Sequence, residues 1–241
     1  MKNQIYGEFA HHYDLLGWNR FARICAIRLA NFVRLRGTGR ESVLDLACGT
    51  GELEFQLRRT GLSFTGVDIS YQMLSEARRK NPRAGFVHGD ITSVRLNRKF
   101  DIVTCFFDSL NHLGSLTDLK RTFKSARLHL RDNGFFIFDM LTPTGLAGWE
   151  AVEVRKSPEY YVTINGHHDV EKGRAEVTIE GFVRANKDSY RRFKQMVAER
   201  SYPFEDIRDS LSGVGFDKIA VSSFNTDEPL ENASRWFFVV N

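Results

Sequence analysis

Cysteine, charge of one sign and long apolar runs are all scarce in this chain of 241 residues. Each scarcity excludes something. The three cysteines, Cys25, Cys48 and Cys105, are an odd count and contain no CxxC pair. That argues against a disulfide scaffold and a zinc site, and for a reducing compartment. No apolar run approaches the ~20 residues that a membrane span needs, so no membrane partner is expected. The opening Met1-Lys2-Asn3-Gln4 leads into polar sequence without a signal-peptide core, and a cytoplasmic location is the expectation. Lys+Arg number 34 against 30 Asp+Glu, a net +4. The basic residues are interleaved with acids, which disfavours nucleic acid as partner. What is plentiful is apolar material. It makes up 42% of residues and includes 20 Phe, enough for a sizeable core and incompatible with disorder. The length suits one large α/β domain, or one domain with an insertion.

Residues 1–36 read as helices, with Phe21, Cys25, Ile27, Leu29, Phe32 and Val33 on one stripe and glycines at 37 and 39 closing it. The next hundred residues alternate between two periods. Short apolar runs (Val43–Ala47, Phe64–Val67, Phe86-Val87, Phe100–Phe106, Gly134–Phe138) alternate with helical spacing. That alternation marks a parallel sheet covered on both faces. Ser70 is placed as the N-cap of a helix ending in Arg78-Arg79-Lys80, whose charges read as a solvated last turn. Asn133-Gly134 reads as a turn. Beyond Pro143 the pattern becomes half-polar alternation, as in Tyr160–Ile164 and Ala175–Phe182, with hairpin turns expected at Asn165-Gly166 and Asn186–Asp188. A helix over 204–211 and two strands, Phe216–Phe224 and Arg235–Val240, then resume the core.

The first strand runs into Asp45-Leu46-Ala47-Cys48-Gly49-Thr50-Gly51. Glycines there let the backbone turn tightly and approach a ligand, and the next helix aims its N–H groups at that ligand. The second strand ends in Asp68, 19 residues after Gly49, where a carboxylate can accept both hydroxyls of a ribose. A dinucleotide fingerprint needs a third glycine; Glu52 or Glu54 stands there, and an acid beside a pyrophosphate is repulsive. That disfavours NAD and favours a mononucleoside with a cationic centre.

Val43–Gly51 resembles the first motif of class I S-adenosylmethionine-dependent methyltransferases, with Ala47 where many members carry glycine. Gly66–Ser70 with Met73-Leu74 resembles their ribose-binding strand and helix, His88–Ile91 the adenine loop, and Phe100–Cys105 the fourth strand. The resemblance implies an α/β, Rossmann-like, seven-stranded, mostly parallel sheet with a terminal antiparallel hairpin. It implies S-adenosyl-L-methionine as cofactor, held by Tyr13, Asp45, Ala47, Gly49, Gly51, Asp68, Ile69, Met73, Asp90, Ile91 and Phe106. Asp45 would face the methionine ammonium, and Asp90 the adenine amino group. Tyr6–Asp14 and Asp108–Leu113 resemble the N-terminal helix and reaction-centre loop of small-molecule and sugar N-methyltransferases.

Methyl transfer is an in-line displacement at carbon, needing alignment and exclusion of water. An amine or hydroxyl acceptor must also lose a proton, and His112 is the natural base. Tyr13 and Asp108 are the candidates for orienting the substrate. No metal is expected, since the histidine pairs at 11–12 and 167–168 lack further ligands. Four segments result: residues 1–36 as a helical cap, 37–145 as the cofactor-binding core, 146–202 as a β-rich antiparallel insertion serving as substrate lid, and 203–241 completing the sheet. The cap and the lid are expected to close the pocket from opposite sides, with Tyr161, Arg184 and Tyr202 as candidate substrate contacts. The acceptor is expected to be a small molecule, and a homodimer is left open. The rival readings are a non-catalytic cofactor-binding accessory protein and a methyltransferase acting on RNA or protein.

Overall fold

The computed structural model describes residues 6–7, 9–225 and 228–241. Two helices, α1 (Ala10–Tyr13) and α2 (Arg20–Arg36), precede an alternating core. Strands β1 (Ser42–Leu46), β2 (Ser63–Asp68), β3 (Gly85–His88) and β4 (Phe100–Cys105) are interleaved with α3 (Glu52–Leu57) and α4 (Tyr71–Lys80); α5 (Leu116–His129) leads to β5 (Leu130–Leu141). After α6 (Pro143–Ala147) come β6 (Val152–Ser157), β7 (Tyr160–Asp169), β8 (Arg174–Arg184) and β9 (Tyr190–Arg200). Helix α7 (Phe204–Ser212) and strands β10 (Ile219–Ser223) and β11 (Arg235–Val240) close the chain.

Seven strands form one sheet in the order β10-β11-β5-β4-β1-β2-β3. Strand β11 pairs antiparallel with both neighbours, and the pairs from β5 to β3 are parallel. Every residue of β1 is buried, Ser42 and Asp45 included, as a central strand covered on both faces requires. One face packs Leu44, Leu46 and Val103 against Leu119, Phe123, Ile207 and Leu211 of α5 and α7. The other packs Val43 and Ile102 against Cys25, Leu29, Leu53 and Leu57 of α2 and α3, while Ile27, expected on the same stripe, turns outward and is 64% exposed because it lies two residues from Cys25 and from Leu29, off the helical period. Cysteines 25, 48 and 105 are buried and free. Among the described residues, no helix is long and apolar enough to cross a membrane.

The insertion is a separate antiparallel sheet in the order β6-β7-β8-β9. Its alternation sorts as expected, with Val162, Ile179, Val183 and Phe193 buried while Tyr161, Phe182 and Met196 are exposed. Two turn expectations are corrected. Asn165-Gly166 lies inside β7, and the chain reverses instead at 170–173, where Gly173 has φ +57°. Gly166 is there for clearance, since a Cβ would stand 1.9 Å from the Trp149 carbonyl oxygen. Asn133-Gly134 likewise lies within β5, where the register with β4 shifts between Phe100 and Ile102. Both misreadings share a cause: a glycine required by close packing looks in sequence like a glycine required by a turn.

The two covers do not stand on opposite sides. Phe9 and Leu16 of the N-terminal segment share one apolar cluster with Val162, Ile179, Val183 and Phe193 of the insertion, and Tyr6, Tyr13 and Trp18 pack against it. They form one roof.

Candidate active site

The carboxyl ends of β1, β2 and β4 open into a cavity of about 640 Å³ beneath that roof. Parallel α/β sheets place ligands at this end because the strand-to-helix loops diverge there. The loop after β1 turns on Ala47, Gly49 and Gly51, all with positive φ (57°, 55° and 68°). A Cβ on Gly49 would meet nothing within 4 Å, so the backbone there borders open space that a ligand can approach. Asp68, only 8% exposed, accepts from the Gly49 amide (2.9 Å) and the Ser70 amide (2.8 Å). Its carboxyl thus joins the glycine loop to the start of α4, where Ser70 caps by accepting from the Met73 amide. Burial raises the Asp68 pKa, against the two amides that favour the carboxylate. Asp45 accepts from the Thr104 hydroxyl (2.6 Å), and burial pushes its pKa up as well.

Tyr13, Asp45, Ala47, Gly49, Asp68, Ile69, Met73, Asp90, Ile91, Phe106, Asp108 and His112 all line this cavity. Gly51 does not. A Cβ there would press on Asn81 Nδ2 at 2.7 Å, and the Gly51 carbonyl accepts from that amide at 2.8 Å. It is a glycine of loop packing. Asp90 also accepts from the Thr92 amide and hydroxyl (2.9 and 2.7 Å), so it shapes its own turn while facing the pocket. None of Tyr161, Arg184 and Tyr202 lines the cavity; the Tyr202 hydroxyl donates instead to the Leu113 carbonyl (2.6 Å). The insertion presents other residues, among them Trp149, Ile164, Val177, Ile179 and Glu199.

At the far end, the loop after β4 carries two consecutive left-handed residues, Phe107 (φ 62°) and Asp108 (φ 48°). Such backbone is strained and persists only when its surroundings hold it. Asp139, fully buried on β5, does so by accepting from the Phe107 amide (2.7 Å) and the Asp108 amide (3.1 Å). Arg235 of β11 donates to Asp108 (2.8 Å) and also to Asp139. His112 follows on this loop. Its Nδ1 lies 3.3 Å from the Ala198 carbonyl, and its Nε2 lies 3.4 Å from the Tyr6 hydroxyl and 3.3 Å from Glu199. Burial lowers its pKa, with Asp108 pulling the other way, and favours the neutral ring. Asp108, His112 and Glu199 bring one polar atom each within 4.8 Å of one another.

Asp139, Arg235, Tyr6 and Glu199 were not marked as site residues by the sequence. The first two sit in apolar strand patterns as isolated charges, and that was the available signal. Lys80 is not a solvated charge of the last turn of α4 but is 13% exposed. Its ammonium pairs with Asp14, with Glu52 (2.8 Å) and with Thr50 (3.2 Å), whose hydroxyl donates to Asp14 (2.7 Å). It latches the N-terminal segment to the glycine loop. Glu52 is therefore neutralised by Lys80 and Arg23, and Glu54 is buried outside the cavity lining. The repulsion of a pyrophosphate expected at Glu52 is thus offset by its two cations, and Glu54 does not face the cavity.

A strand-ending acid, an open glycine cradle and an enclosed acidic pocket fit a nucleoside bearing a cationic centre. Residues 43–134 match the family described as a methyltransferase domain. YqeM of Bacillus subtilis is 31% identical over 81% of this chain and 82% of its own length. The dTDP-3-amino-3,4,6-trideoxy-alpha-D-glucopyranose N,N-dimethyltransferase of Streptomyces venezuelae is 32% identical over 70% of this chain and 72% of its own. A crystal structure of an S-adenosylmethionine-dependent methyltransferase from Clostridium acetobutylicum superposes with a TM-score of 0.80 at 27% identity, covering 98% of each chain. The chain belongs to the S-adenosylmethionine-dependent methyltransferases.

Proposed function

We propose that this protein methylates the amine of an amino sugar in the roofed cavity, with Tyr13, Asp45, Asp68, Ile69, Met73, Asp90, Ile91 and Phe106 holding the cofactor. S-adenosylmethionine supplies a methyl group on a sulfonium, with a neutral thioether as leaving group. The chain's own residues need to align the acceptor, exclude water and take a proton. Asp108, held by Arg235 and strained into place by Asp139, orients the amine. His112 takes its proton at Nε2, because Nδ1 is turned to the Ala198 carbonyl. Tyr13 walls the same space. The roof, formed by the N-terminal cap and the insertion, closes the cavity over a small acceptor.

The observation that carries this reading is the convergence of Asp108, His112 and Glu199 within 4.8 Å at one end of the cavity. Acids around a neutral imidazole suit an acceptor that arrives as a cation and leaves a proton behind. The relative from Streptomyces venezuelae is named for N,N-dimethylation of an amino sugar, which supports the same choice. Mass spectrometry of products from a mixed panel tests it. The panel holds that relative's dTDP-linked amino sugar, D-glucosamine, the matching hydroxyl sugars, an RNA and a basic peptide. Methyl gain on an amino sugar is expected. Methyl gain confined to hydroxyls, RNA or peptide, or none with cofactor bound, would overturn the proposal.

A further inference from the structure

Glu199 is a buried acid on the inward face of its strand. On β9 the inward positions alternate through Phe193 and Val197, and Glu199 continues that face into the cavity at 3% exposure. Its Oε1 lies 3.3 Å from His112 Nε2, while Oε2 is buried with no donor within reach among the described residues, and the side chain with which the carboxyl can share a hydrogen bond is another acid, Asp108. A buried acid that faces a second acid and has no donor of its own is destabilising once ionised, and its persistence points to a cationic partner that arrives with the substrate. The charged and titratable groups that face it are Asp108 and His112 from the loop after β4, Tyr6 from the N-terminal segment, Asp139 from β5 and Arg235 from β11. Arg235 is the one cation of that set, and Asp108 and Asp139 already hold it.

We propose that Glu199 selects a cationic acceptor, by pairing its unmatched carboxyl oxygen with the acceptor's ammonium group between Asp108 and His112. This rests on the amine reading above and deepens it. In the resting pocket, burial, the nearby charge of Asp108 and a hydrogen bond shared with it favour the protonated form of Glu199. An entering R–NH3⁺ displaces that proton to solvent, so the pocket's net charge is unchanged: one cation enters and one proton leaves. The ammonium then passes one N–H proton to His112 Nε2, and the nitrogen is left with the lone pair that attacks carbon. A hydroxyl acceptor brings no charge and releases no proton. The insertion therefore contributes the charge that distinguishes amine from hydroxyl, as well as cover.

The test uses the full-length enzyme saturated with S-adenosylhomocysteine. The dTDP-linked 3-amino-3,4,6-trideoxyglucose and D-glucosamine are titrated calorimetrically near neutral pH in buffers of differing ionisation enthalpy. About one proton released per amine bound is expected for the wild type, and none for Glu199→Gln, which is isosteric with the protonated acid and keeps the packing. In turnover, Glu199→Gln should raise KM for the amine roughly tenfold or more, the scale of a hydrogen bond to a charged group, with kcat moved far less. Glu199→Asp, retaining the carboxyl, should restore proton release. Equal proton release and KM in the Gln variant would overturn the proposal, as would a fall in kcat with KM unchanged. If amines are methylated and the Gln variant matches the wild type, this inference alone fails. If methyl appears only on hydroxyls, the amine reading fails and takes this inference with it.

Discussion

Asp68 holds the glycine loop and is proposed to hold the cofactor's ribose as well, and its removal should show both. Its oxygens hold the Gly49 and Ser70 amides and border the cavity where the ribose hydroxyls would sit. Asp68→Ala should weaken S-adenosylmethionine binding by about 1.5–3 kcal/mol, the range for hydrogen bonds to a charged group, as read by calorimetry. An unchanged affinity in a folded variant would take Asp68 out of the site. His112 makes a pH prediction. Burial holds its pKa below the ordinary 6.5, so the neutral ring survives mild acid. The acid limb of kcat, which reports the complex after Glu199 has given up its proton, should therefore fall with a midpoint below 6.5 and vanish in His112→Phe. The same shift has a stability consequence. The neutral ring's contribution is whole above the unfolded value of about 6.5 and is lost as pH falls from there toward the folded value, because the unfolded chain takes up the proton first. Arg235→Ala strands Asp108 and Asp139 in the interior, where breaking a buried pair costs about 3–5 kcal/mol. Denaturant titration should show that loss; a shift below about 1 kcal/mol would mean that the pair matters little to stability.

At the scale of elements, the insertion is fastened at both ends by contacts too specific to tolerate small changes. Gly166 passes under the Trp149 carbonyl, and its amide donates to the Ala151 carbonyl (2.9 Å). Gly166→Ala should lower stability by about 1–3 kcal/mol, the usual penalty for overpacking, and should also reduce turnover because Trp149 and Gly166 line the cavity. A variant with the wild-type unfolding midpoint would show that β7 can shift without strain. At the other end Asn111 donates to the Leu141 and Arg200 carbonyls (3.0 and 2.9 Å) and accepts from the Leu141 amide (3.0 Å). It ties β9, β5 and the His112 loop together. Strand existence and helix periods were legible in sequence here because burial on one or both faces imposes them. Where glycine serves clearance, as at 134 and 166, the pattern misleads, since the neighbour that demands it lies far along the chain.

For the molecule as a whole, the roof is a joint product of the N-terminal segment and the insertion. They share one apolar cluster, and the N-terminal segment is latched below through Asp14, Thr50, Lys80 and Glu52. Elements joined this way should open and close together. Hydrogen exchange with and without S-adenosylhomocysteine should show amides of 9–18 and of β7–β9 slowed by the ligand in parallel. Deletion of residues 1–19 should abolish the protection in β7–β9. Protection of the insertion that survives the deletion would show two independent covers.

The sequence by itself determined the alternating core, the two terminal strands, the glycine loop, Asp68 and the position of the insertion. These follow from local rules: burial sets period, glycine sets turns, and an acid at a strand end faces the ligand. Only the tertiary structure decided which charges meet. Asp139 and Arg235 lie 96 residues apart, His112 and Ala198 86 apart, and Glu52 and Lys80 28 apart. Alternation says that one face of β9 turns inward, but not which pocket that face will line. A buried carboxyl takes its meaning from the groups brought around it, and chain packing alone brings Asp108, His112 and Glu199 to one point.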